Sequence, residues 1–363
     1  MNVEQLARPE IVAMKPYSSA RREAPGEGVL LNANEAPWTS GADPFRRPLN
    51  RYPEIRPARL RDALAARFGA SPAGLLVTRG TSEAIDLLVR AFCRAGIDNI
   101  VTTRPTFSMY RHYAEVQGAR LIEVKTQAER DFAIDVRDIL RACDDMTRLI
   151  FVCSPNNPTG STLPREDLET LLQERGDRSA IVVDEAYVEF GDKPSVTELL
   201  DRYDNLLVLR TLSKALGFAG ARCGGVAGPT DVIRILGAIQ APYAMATPVV
   251  ECVEDALHSE QLAAAQASVI EIVKERQRLA KALVAFPFVK KVWPSDANFL
   301  LARFDDARAV MRRCAADGVL LRHFGGDLED CIRISIGTTE ENDTLLATLK
   351  AQATAAIDKA AGD

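Results

Sequence analysis

The sequence predicts an α/β protein with two domains: a large one built on a mostly parallel seven-stranded sheet, and a smaller α+β domain at the C-terminal end. From residue 75 onward, short apolar runs alternate with helix-like segments, which is typical of a parallel sheet covered on both faces. The alternation stops at Pro248, where a long helical stretch begins. The chain has 363 residues, 47% of them hydrophobic and 26% charged, which suits a globular protein with more than one core.

The predicted strands of the large sheet are short and apolar. They are residues 75–78, 100–103, 121–124, 149–153, 181–183, 206–209 and 224–227. Helical patterns precede or separate these strands, at residues 59–68, 83–93, 108–117, 164–174 and 232–239. Ligands of open α/β sheets bind at the carboxyl ends of the strands, so we expect the functional residues there.

The two ends of the chain follow other patterns. Residues 1–35 are predicted to form an N-terminal arm that packs on its own body or on a second subunit, because prolines interrupt its short apolar patches. Residues 36–248 then form the large domain and residues 249–363 the small one. In the small domain we predict helical structure over 249–286 with a break near 258–259, strands at 289–293, 298–304, 319–323 and 332–336, a helix at 307–316, and a last helix opened by a capping box at 338–341.

Charge and cysteine content exclude several classes of protein. A net charge of -5 offers no positive field for a nucleic acid or an anionic membrane. The seven cysteines are odd in number and form no Cys-x-x-Cys pair, and with only three histidines the sequence predicts no metal site. We find no apolar leader and no apolar run long enough to cross a bilayer, so we expect a protein of the reducing cytoplasm.

The segment after predicted strand 206–209 carries the clearest chemical signal. Desolvation among its small and apolar residues would favour the neutral amine of Lys214, which could then condense with a carbonyl group. The hydroxyls of Thr211 and Ser213 and the guanidinium of Arg222 are the donors that a phosphate group requires. An imine-forming lysine beside a phosphate site indicates pyridoxal phosphate. The alternative is an ordinary surface lysine near a loop.

Three other predicted strand ends carry candidate cofactor ligands. Thr81 and Ser82 open a helix after a glycine turn and could bind a phosphate, or they could serve only as a helix cap. Phe107 could stack on a flat ring, or it could be part of the core. Asn157 lies in a loop rich in proline and asparagine that either presents its amide at the strand end or is only a turn.

Two charged residues are placed where a charge needs a partner. Asp184 directly follows three apolar strand residues, and a protonated pyridine nitrogen would satisfy its shielded carboxylate. The alternatives for Asp184 are a helix cap and a salt bridge, while Tyr187 nearby could bind the ring oxygen of the same cofactor. Arg333 lies between isoleucines in a predicted strand and needs an anion, which could be a ligand or an internal carboxylate.

Taken together and in order, these segments resemble the fold-type-I pyridoxal-phosphate aminotransferases, and among them the histidinol-phosphate aminotransferases. The resemblance runs almost from end to end. The segments that carry it are PYSSAR (16–21), LNANE (31–35), RYP (51–53), CSPNNPTG (153–160), VDEAY (183–187), TLSKALGFAGARCG (211–224) and CIRISIG (331–337).

The resemblance implies a role for each candidate residue. Lys214 would hold the cofactor as an imine and shuttle the proton, and Asp184 would pair with the ring nitrogen. Asn157 and Tyr187 would bind the ring oxygen. The phosphate would be held by Thr81, Ser82, Ser213 and Arg222, and by Tyr52 from the other subunit of a homodimer. Arg333 would bind the anionic groups of both substrates in turn, aided by Arg322 and Tyr17.

The implied reaction is a ping-pong transamination in histidine biosynthesis. L-histidinol phosphate and 2-oxoglutarate would give imidazole-acetol phosphate and glutamate. The chain departs from the common pattern at Phe107, where many members have tyrosine, and at Thr81 and Ser82, which replace a small-acidic pair. Relatives with the same motifs transaminate aromatic amino acids or decarboxylate threonine phosphate, and these two activities are the alternatives. A third class, a cofactor-binding regulator, would carry a DNA-binding domain, for which the sequence shows no pattern.

Overall fold

The computed structural model describes residues 3–18, 29 and 31–362 of the chain. Within these residues the strands are β1 (Leu75–Thr78), β2 (Asn99–Arg104), β3 (Arg120–Lys125), β4 (Thr147–Cys153), β5 (Ala180–Asp184), β6 (Leu206–Thr211), β7 (Gly224–Ala227), β8 (Val289–Val292), β9 (Phe299–Phe304), β10 (Arg322–His323) and β11 (Cys331–Ser335). The helices are α1 (Pro9–Val12), α2 (Ala58–Phe68), α3 (Thr81–Phe92), α4 (Met109–Gln117), α5 (Val136–Ala142), α6 (Arg165–Arg175), α7 (Thr230–Ile239), α8 (Thr247–Ala256), α9 (Ser259–Leu283), α10 (Ala307–Ala316) and α11 (Thr339–Gly362).

The first seven strands form one sheet in the order β1-β7-β6-β5-β4-β2-β3. Strands β2 to β6 pair in parallel, and β7 runs antiparallel to both of its neighbours. The predicted seven-stranded, mostly parallel sheet is therefore confirmed, and each strand lies within two residues of its predicted bounds. The sheet places β5 at its centre, with the carboxyl ends of β4 and β6 on either side.

Alternate residues of the central strands pack on opposite faces of this sheet. Ile100, Phe151 and Leu207 join an apolar cluster under α3, α4 and α7. The neighbours of these residues in each strand, such as Val101 beside Ile100, join a second cluster under α5 and α6. Both faces are buried, which explains why the strands are continuously apolar. Helix α5 does not appear in the predicted pattern because it has only seven residues; the carboxylate of Asp135 caps its start by accepting from the Arg137 N–H at 3.0 Å.

The first described residues pack on the body of the same chain. Val3 and Ala7 are buried in the cluster that covers α3 and α7. The Arg8 N–H donates to the carbonyl of Ala91, at the end of α3, at 2.9 Å. Of the two expectations for the arm, docking on its own body therefore applies to this part. The predicted motif 16–21 extends beyond the described residues at Ser19, Ala20 and Arg21.

The remaining strands form an antiparallel sheet in the order β10-β11-β9-β8, which confirms the smaller α+β region. Helices α9, α10 and α11 cover it around a cluster that includes Phe304 and Ile334. The helical stretch breaks between Ala256 and Ser259, as predicted. The capping box is also formed, because the Thr338 N–H donates to the Glu341 carboxylate at 2.8 Å and the Glu341 N–H donates to the Thr338 hydroxyl at 3.2 Å.

One strand differs from its prediction. We expected residues 319–323, but the ladder contains only Arg322 and His323, opposite Arg333 and Ile332. Val319 and Leu321 pack against the apolar cluster of the small sheet, while Leu320 between them is 85% exposed, so this run contributes to the core without joining the ladder. Among the described helices, none combines the length and the apolar composition that crossing a bilayer would need.

Candidate active site

A cavity of about 590 Å³ opens at the carboxyl ends of the central strands and is closed on its far side by β10 and β11. This volume is in the range of small-molecule sites. All of the predicted site residues line it except Tyr17 and Tyr52. They are Thr81, Ser82, Phe107, Asn157, Asp184, Tyr187, Thr211, Ser213, Lys214, Arg222, Arg322 and Arg333.

Asp184 ends β5 at the bottom of the cavity and is only 1% exposed. Its carboxylate accepts a hydrogen bond from the Tyr110 hydroxyl at 2.9 Å and one from the Ala186 N–H at 3.2 Å. Burial raises the pKa of Asp184 to about 6. Within the described part of the chain it forms no ion pair, so the salt-bridge alternative is not observed. A carboxylate in this position is suited to a cationic ligand in the cavity.

Lys214 follows β6 and projects into the open part of the cavity. Its ammonium lies 5.6 Å from the centre of the Tyr187 ring. Burial against the cavity wall lowers the pKa of Lys214, and the positive charges of Arg333 and Arg222 lower it further. The side-chain amine of Lys214 forms no hydrogen bond or ion pair with another described residue. An amine that is easily deprotonated and not otherwise engaged is able to react with a carbonyl group.

A group of donors for an anion surrounds the start of α3. Gly80 precedes the helix with φ of 75°, and a Cβ atom there would lie 2.9 Å from a guanidinium nitrogen of Arg222. The positive φ favours glycine at this position, and the absence of a side chain leaves room for that guanidinium. No side chain caps the helix, so its first N–H groups remain available beside Thr81 and Ser82. On the other side, the Thr211 hydroxyl donates to the Ser213 hydroxyl at 3.0 Å.

Asn157, Tyr187 and Arg333 form a hydrogen-bonded chain across the cavity. The Arg333 guanidinium donates to the amide oxygen of Asn157 at 2.6 Å, and the Asn157 amide nitrogen lies 3.2 Å from the Tyr187 hydroxyl. Burial raises the pKa of Tyr187, so the phenol stays protonated. The loop 154–160 therefore holds Asn157 between the two sheets, which supports the ligand interpretation over that of a simple turn.

Arg333 and Arg322 face each other as register partners on β11 and β10. Their guanidinium carbons lie over aromatic rings, 5.3 Å from the centre of Phe299 for Arg333 and 5.5 Å from that of Phe324 for Arg322. Neither forms an ion pair with a carboxylate of the described residues, and Nε of Arg333 is buried without a hydrogen-bond partner. Like charges in opposite positions destabilise a sheet. The pair is therefore suited to an anionic ligand.

Tyr17 and Tyr52 lie outside this cavity. They line a second cavity, of about 330 Å³, together with Tyr243. The Tyr52 ring stacks on Tyr243 with 4.6 Å between ring centres, and Tyr17 meets the same ring edge-on at 6.3 Å. Each of the two predicted tyrosines is 51% exposed. Within a single chain the structure does not bring them together with Lys214 or Arg333.

Two aromatic residues at the site were not predicted. Tyr110 contacts Asp184 from below, and Phe324 lines the cavity beside the two arginines. Tyr110 follows Phe107 by three residues, so the helical spacing could have placed both on one face. Phe324 follows Arg322 by two residues, which places it on the same face of an extended segment. Both signals depend on knowing first which neighbour lines the cavity.

Comparison with known proteins agrees with this geometry. The family model for class I and II aminotransferases matches residues 42–349. The histidinol-phosphate aminotransferase of Xylella fastidiosa (strain 9a5c) is 43% identical over 352 residues, which is 96% of each chain. That of Xanthomonas campestris pv. campestris (strain B100) is 45% identical over 359 residues, which covers 98% of this chain and 99% of the relative.

A solved structure shows the same fold together with a cofactor. The histidinol-phosphate aminotransferase from Sinorhizobium meliloti, in complex with pyridoxal-5'-phosphate, matches with a TM-score of 0.76 and 27% identity, covering 84% of this chain and 83% of the other. The predicted resemblance and cofactor are thereby confirmed. The chain belongs to the class I and II aminotransferases, a family of pyridoxal-phosphate enzymes.

Proposed function

We propose that this protein transfers an amino group between L-histidinol phosphate and 2-oxoglutarate, giving imidazole-acetol phosphate and glutamate. Relatives with that name match almost the whole chain at 43% and 45% identity. The observation that carries the proposal is the pair Arg322 and Arg333, two facing cations without carboxylate partners among the described residues. A phosphate and a dicarboxylate can each use such a pair, so one anion site would serve both substrates.

The residues around the cavity fit pyridoxal phosphate. The buried carboxylate of Asp184 suits a protonated pyridine nitrogen, and the uncapped start of α3 with Arg222 suits the phosphate. Lys214 is the available amine, and Phe107 lines the cavity where a ring could stack. Bound there, the cofactor supplies an electron sink for the bond that breaks at the substrate's α carbon.

The protein's own groups would each do one part of the work. Lys214 would accept the proton from the substrate's α carbon and return it at the next step, which its lowered pKa favours. Asp184 would keep the opposite end of the site negative. Asn157 and Tyr187 would hold the ring oxygen through their shared hydrogen bond. Arg333 would orient whichever substrate is bound.

We propose that the active unit is a homodimer in which Tyr52 reaches the partner's phosphate site, with Tyr17 beside it. The proposal is supported by the number of large apolar side chains that are exposed in the first part of the chain, since a monomer rarely leaves many such side chains uncovered together. They are Met14, Tyr17, Val29, Leu31, Trp38, Phe45, Leu49 and Tyr52.

The division into an arm (1–35), a large domain (36–248) and a small domain (249–363) also stays a proposal. It is supported by the separate apolar clusters of the two sheets. The cytoplasmic location and the lack of nucleic-acid or membrane partners stay predictions from composition and charge.

A substrate comparison tests the proposal. The purified holoenzyme is given histidinol phosphate, phenylalanine or threonine phosphate, each with 2-oxoglutarate, and glutamate and carbon dioxide are measured. We expect glutamate formation to be fastest with histidinol phosphate. Faster turnover of phenylalanine, or carbon dioxide release from threonine phosphate, would overturn the substrate assignment.

A variant at Arg322 sharpens this comparison. Arg322→Gln should lower kcat/KM for histidinol phosphate by about tenfold and for phenylalanine by much less, because only the first has a phosphate to lose contact with. Arg308→Gln is a suitable control, since Arg308 pairs with Glu329 on the surface and does not line the cavity. Equal losses for both donors would contradict a phosphate contact at Arg322.

A further inference from the structure

Tyr110 is completely buried beneath the cavity and touches two of the groups that line it. Its hydroxyl donates to the Asp184 carboxylate at 2.9 Å. Its ring stacks on Phe151 with 4.9 Å between centres, and it meets the Phe107 ring edge-on at 5.8 Å. The side chain is thus fixed by packing, and its one polar atom is directed at the acid.

The hydrogen bond from Tyr110 differs from an ion pair, because the groups around Asp184 leave its carboxylate with a neutral side-chain donor. The titratable groups that face its carboxylate are Tyr110 from α4, Cys153 from β4, Tyr187 and Lys214. Among the described residues, Tyr110 is the only side chain that donates a hydrogen bond to it; the other donor is the Ala186 N–H. The nearest partner is thus a neutral donor and not an arginine or lysine that would neutralise the carboxylate.

We propose that Tyr110 is a positioning residue whose hydroxyl holds the Asp184 carboxylate in place and keeps it ionised. The inference rests on the proposed role of Asp184 toward the cofactor's ring nitrogen. A cationic partner in place of Tyr110 would satisfy the acid and remove its attraction for that nitrogen. A neutral donor stabilises the ionised acid and leaves its charge for the ligand.

The direction of the effect follows from the two opposing influences on Asp184. Burial raises the pKa of the Asp184 carboxyl, and the Tyr110 hydrogen bond lowers it. Burial also raises the pKa of Tyr110 well above its usual value, so the phenol remains a donor at every working pH. Without the hydroxyl, the more basic carboxylate would compete for the proton that belongs on the ring nitrogen.

The test is Tyr110→Phe, which keeps the ring and removes only the hydroxyl. In the holoenzyme we expect kcat to fall about tenfold, since one hydrogen bond to a buried charge is lost, while KM changes by less than about twofold. The cofactor's absorbance should also show a pH dependence displaced from that of the wild type. Tyr113→Phe is the matched control: Tyr113 lies on the same helix, half-buried, with no hydrogen bond to Asp184, and its removal should leave both readouts unchanged.

A double-variant cycle separates positioning from simple packing. Asp184→Asn removes the charge that the Tyr110 hydroxyl stabilises, so adding Tyr110→Phe to it should cost less than about twofold further in kcat. Full additivity of the two losses, or an unchanged absorbance profile in Tyr110→Phe, would overturn the inference and leave the role of Asp184 intact. An Asp184→Asn enzyme with normal kcat would instead remove the proposed role of Asp184, and the inference with it.

Discussion

The charged groups on the two walls of the cavity differ in their burial and in their partners. On the wall from the large sheet, Asp184 is buried and hydrogen-bonded to Tyr110 and to the backbone. On the wall from the small sheet, Arg322 and Arg333 are partly exposed and face each other without a carboxylate among the described residues. The first wall suits a group that stays bound, because its charge is fixed and shielded. The second suits anions that must enter and leave.

The difference follows from where each wall lies in its sheet. Asp184 ends β5, the central strand of a parallel sheet that is covered on both faces. Arg322 lies on β10, an edge strand of only two residues. A central strand end is shielded from water, whereas an edge strand is open to it. We therefore call the wall that carries Asp184 and Lys214 the retaining wall, because it suits a group that stays bound. We call the wall that carries Arg322 and Arg333 the exchanging wall, because it suits anions that enter and leave.

The largest effect should come from the retaining wall. Lys214→Ala removes the amine that the proposed chemistry requires, so kcat should fall by about 10⁴-fold or more. Borohydride reduction followed by mass spectrometry should attach the cofactor to the wild-type chain and not to this variant. Lys274→Ala is the control, because Lys274 is an exposed lysine of α9 paired with Glu271. Turnover that survives in Lys214→Ala would mean that another residue performs the reaction.

The next largest effect should come from the exchanging wall. Arg333→Gln should raise KM for both glutamate and histidinol phosphate and lower kcat/KM about 100-fold, because each substrate loses its main anion contact. Arg333→Lys should lose only about tenfold, since the charge remains but the planar pair of donors is lost. Arg303→Gln is the control on the neighbouring strand, where Arg303 pairs with Asp330 outside the cavity. A loss limited to one substrate would contradict a shared site.

The retaining wall could be predicted from the sequence far better than the exchanging one. Asp184 and Lys214 come at the ends of apolar strands whose parallel direction is indicated by the alternation of strands and helices, so both are expected at the same edge of the sheet. The pairing of Arg322 with Arg333 depends on the register of a two-residue strand. The apolar run before Arg322 predicted a longer strand, and no local sequence pattern indicates that β10 contains only two residues.

Long-range contacts explain the other gap between sequence and structure. Tyr110 is separated from Asp184 by 74 positions, and its role appears only when α4 is packed on the sheet. Tyr52 stacks on Tyr243 and Tyr17 meets the same ring edge-on, although Tyr243 is far from both in sequence and no spacing rule connects them. The pattern of strand ends thus predicts which residues face the ligand. The residues that hold them in place, such as Tyr110, can be identified only from the tertiary packing.

A smaller effect should appear in the free energy of unfolding, because the buried carboxylate of Asp184 in the retaining wall destabilises the cofactor-free protein when it is ionised. The pKa of Asp184 is raised to about 6 from 3.8, so the folded state without cofactor keeps a proton that the unfolded chain has lost over this interval. Stability should therefore fall as the pH rises from about 4 to about 6, and above that the full penalty, up to about 3 kcal/mol, should remain. Asp184→Asn should lack this penalty and be more stable than the wild type at pH 8 but not at pH 4.

Urea unfolding of the cofactor-free proteins at the two pH values measures this difference. Asp201→Asn, at an exposed aspartate, is the control and should track the wild type at both values. With cofactor added, the order should reverse at pH 8, because the ligand's cation compensates the buried charge only in the wild type. Equal stabilities of wild type and Asp184→Asn at pH 8 without cofactor would show that the acid carries no such cost.

The smallest effect should come from the exposed ion pairs that Asp327 forms between the two walls. Asp327, just beyond Phe324, accepts from Lys125 at 3.2 Å and pairs with Arg104 at 3.1 Å, so it ties the small sheet to the strand ends of β2 and β3. All three side chains are at least partly exposed, and exposed ion pairs contribute less than about 1 kcal/mol. Asp327→Asn should therefore change kcat/KM by less than about threefold. The control is Asp317→Asn, because Asp317 directly follows α10 and pairs with Arg313 of that helix.

Salt separates a link between the walls from an ordinary surface pair. If the Asp327 contacts help to hold the small sheet over the cavity, raising the salt concentration should lower the wild-type kcat/KM toward that of Asp327→Asn, because exposed charges are screened within about 10 Å at 0.1 M salt. Asp317→Asn should keep the wild-type salt dependence. A salt response that is identical in all three proteins would mean that the ion pairs of Asp327 do not help to hold the small sheet over the cavity.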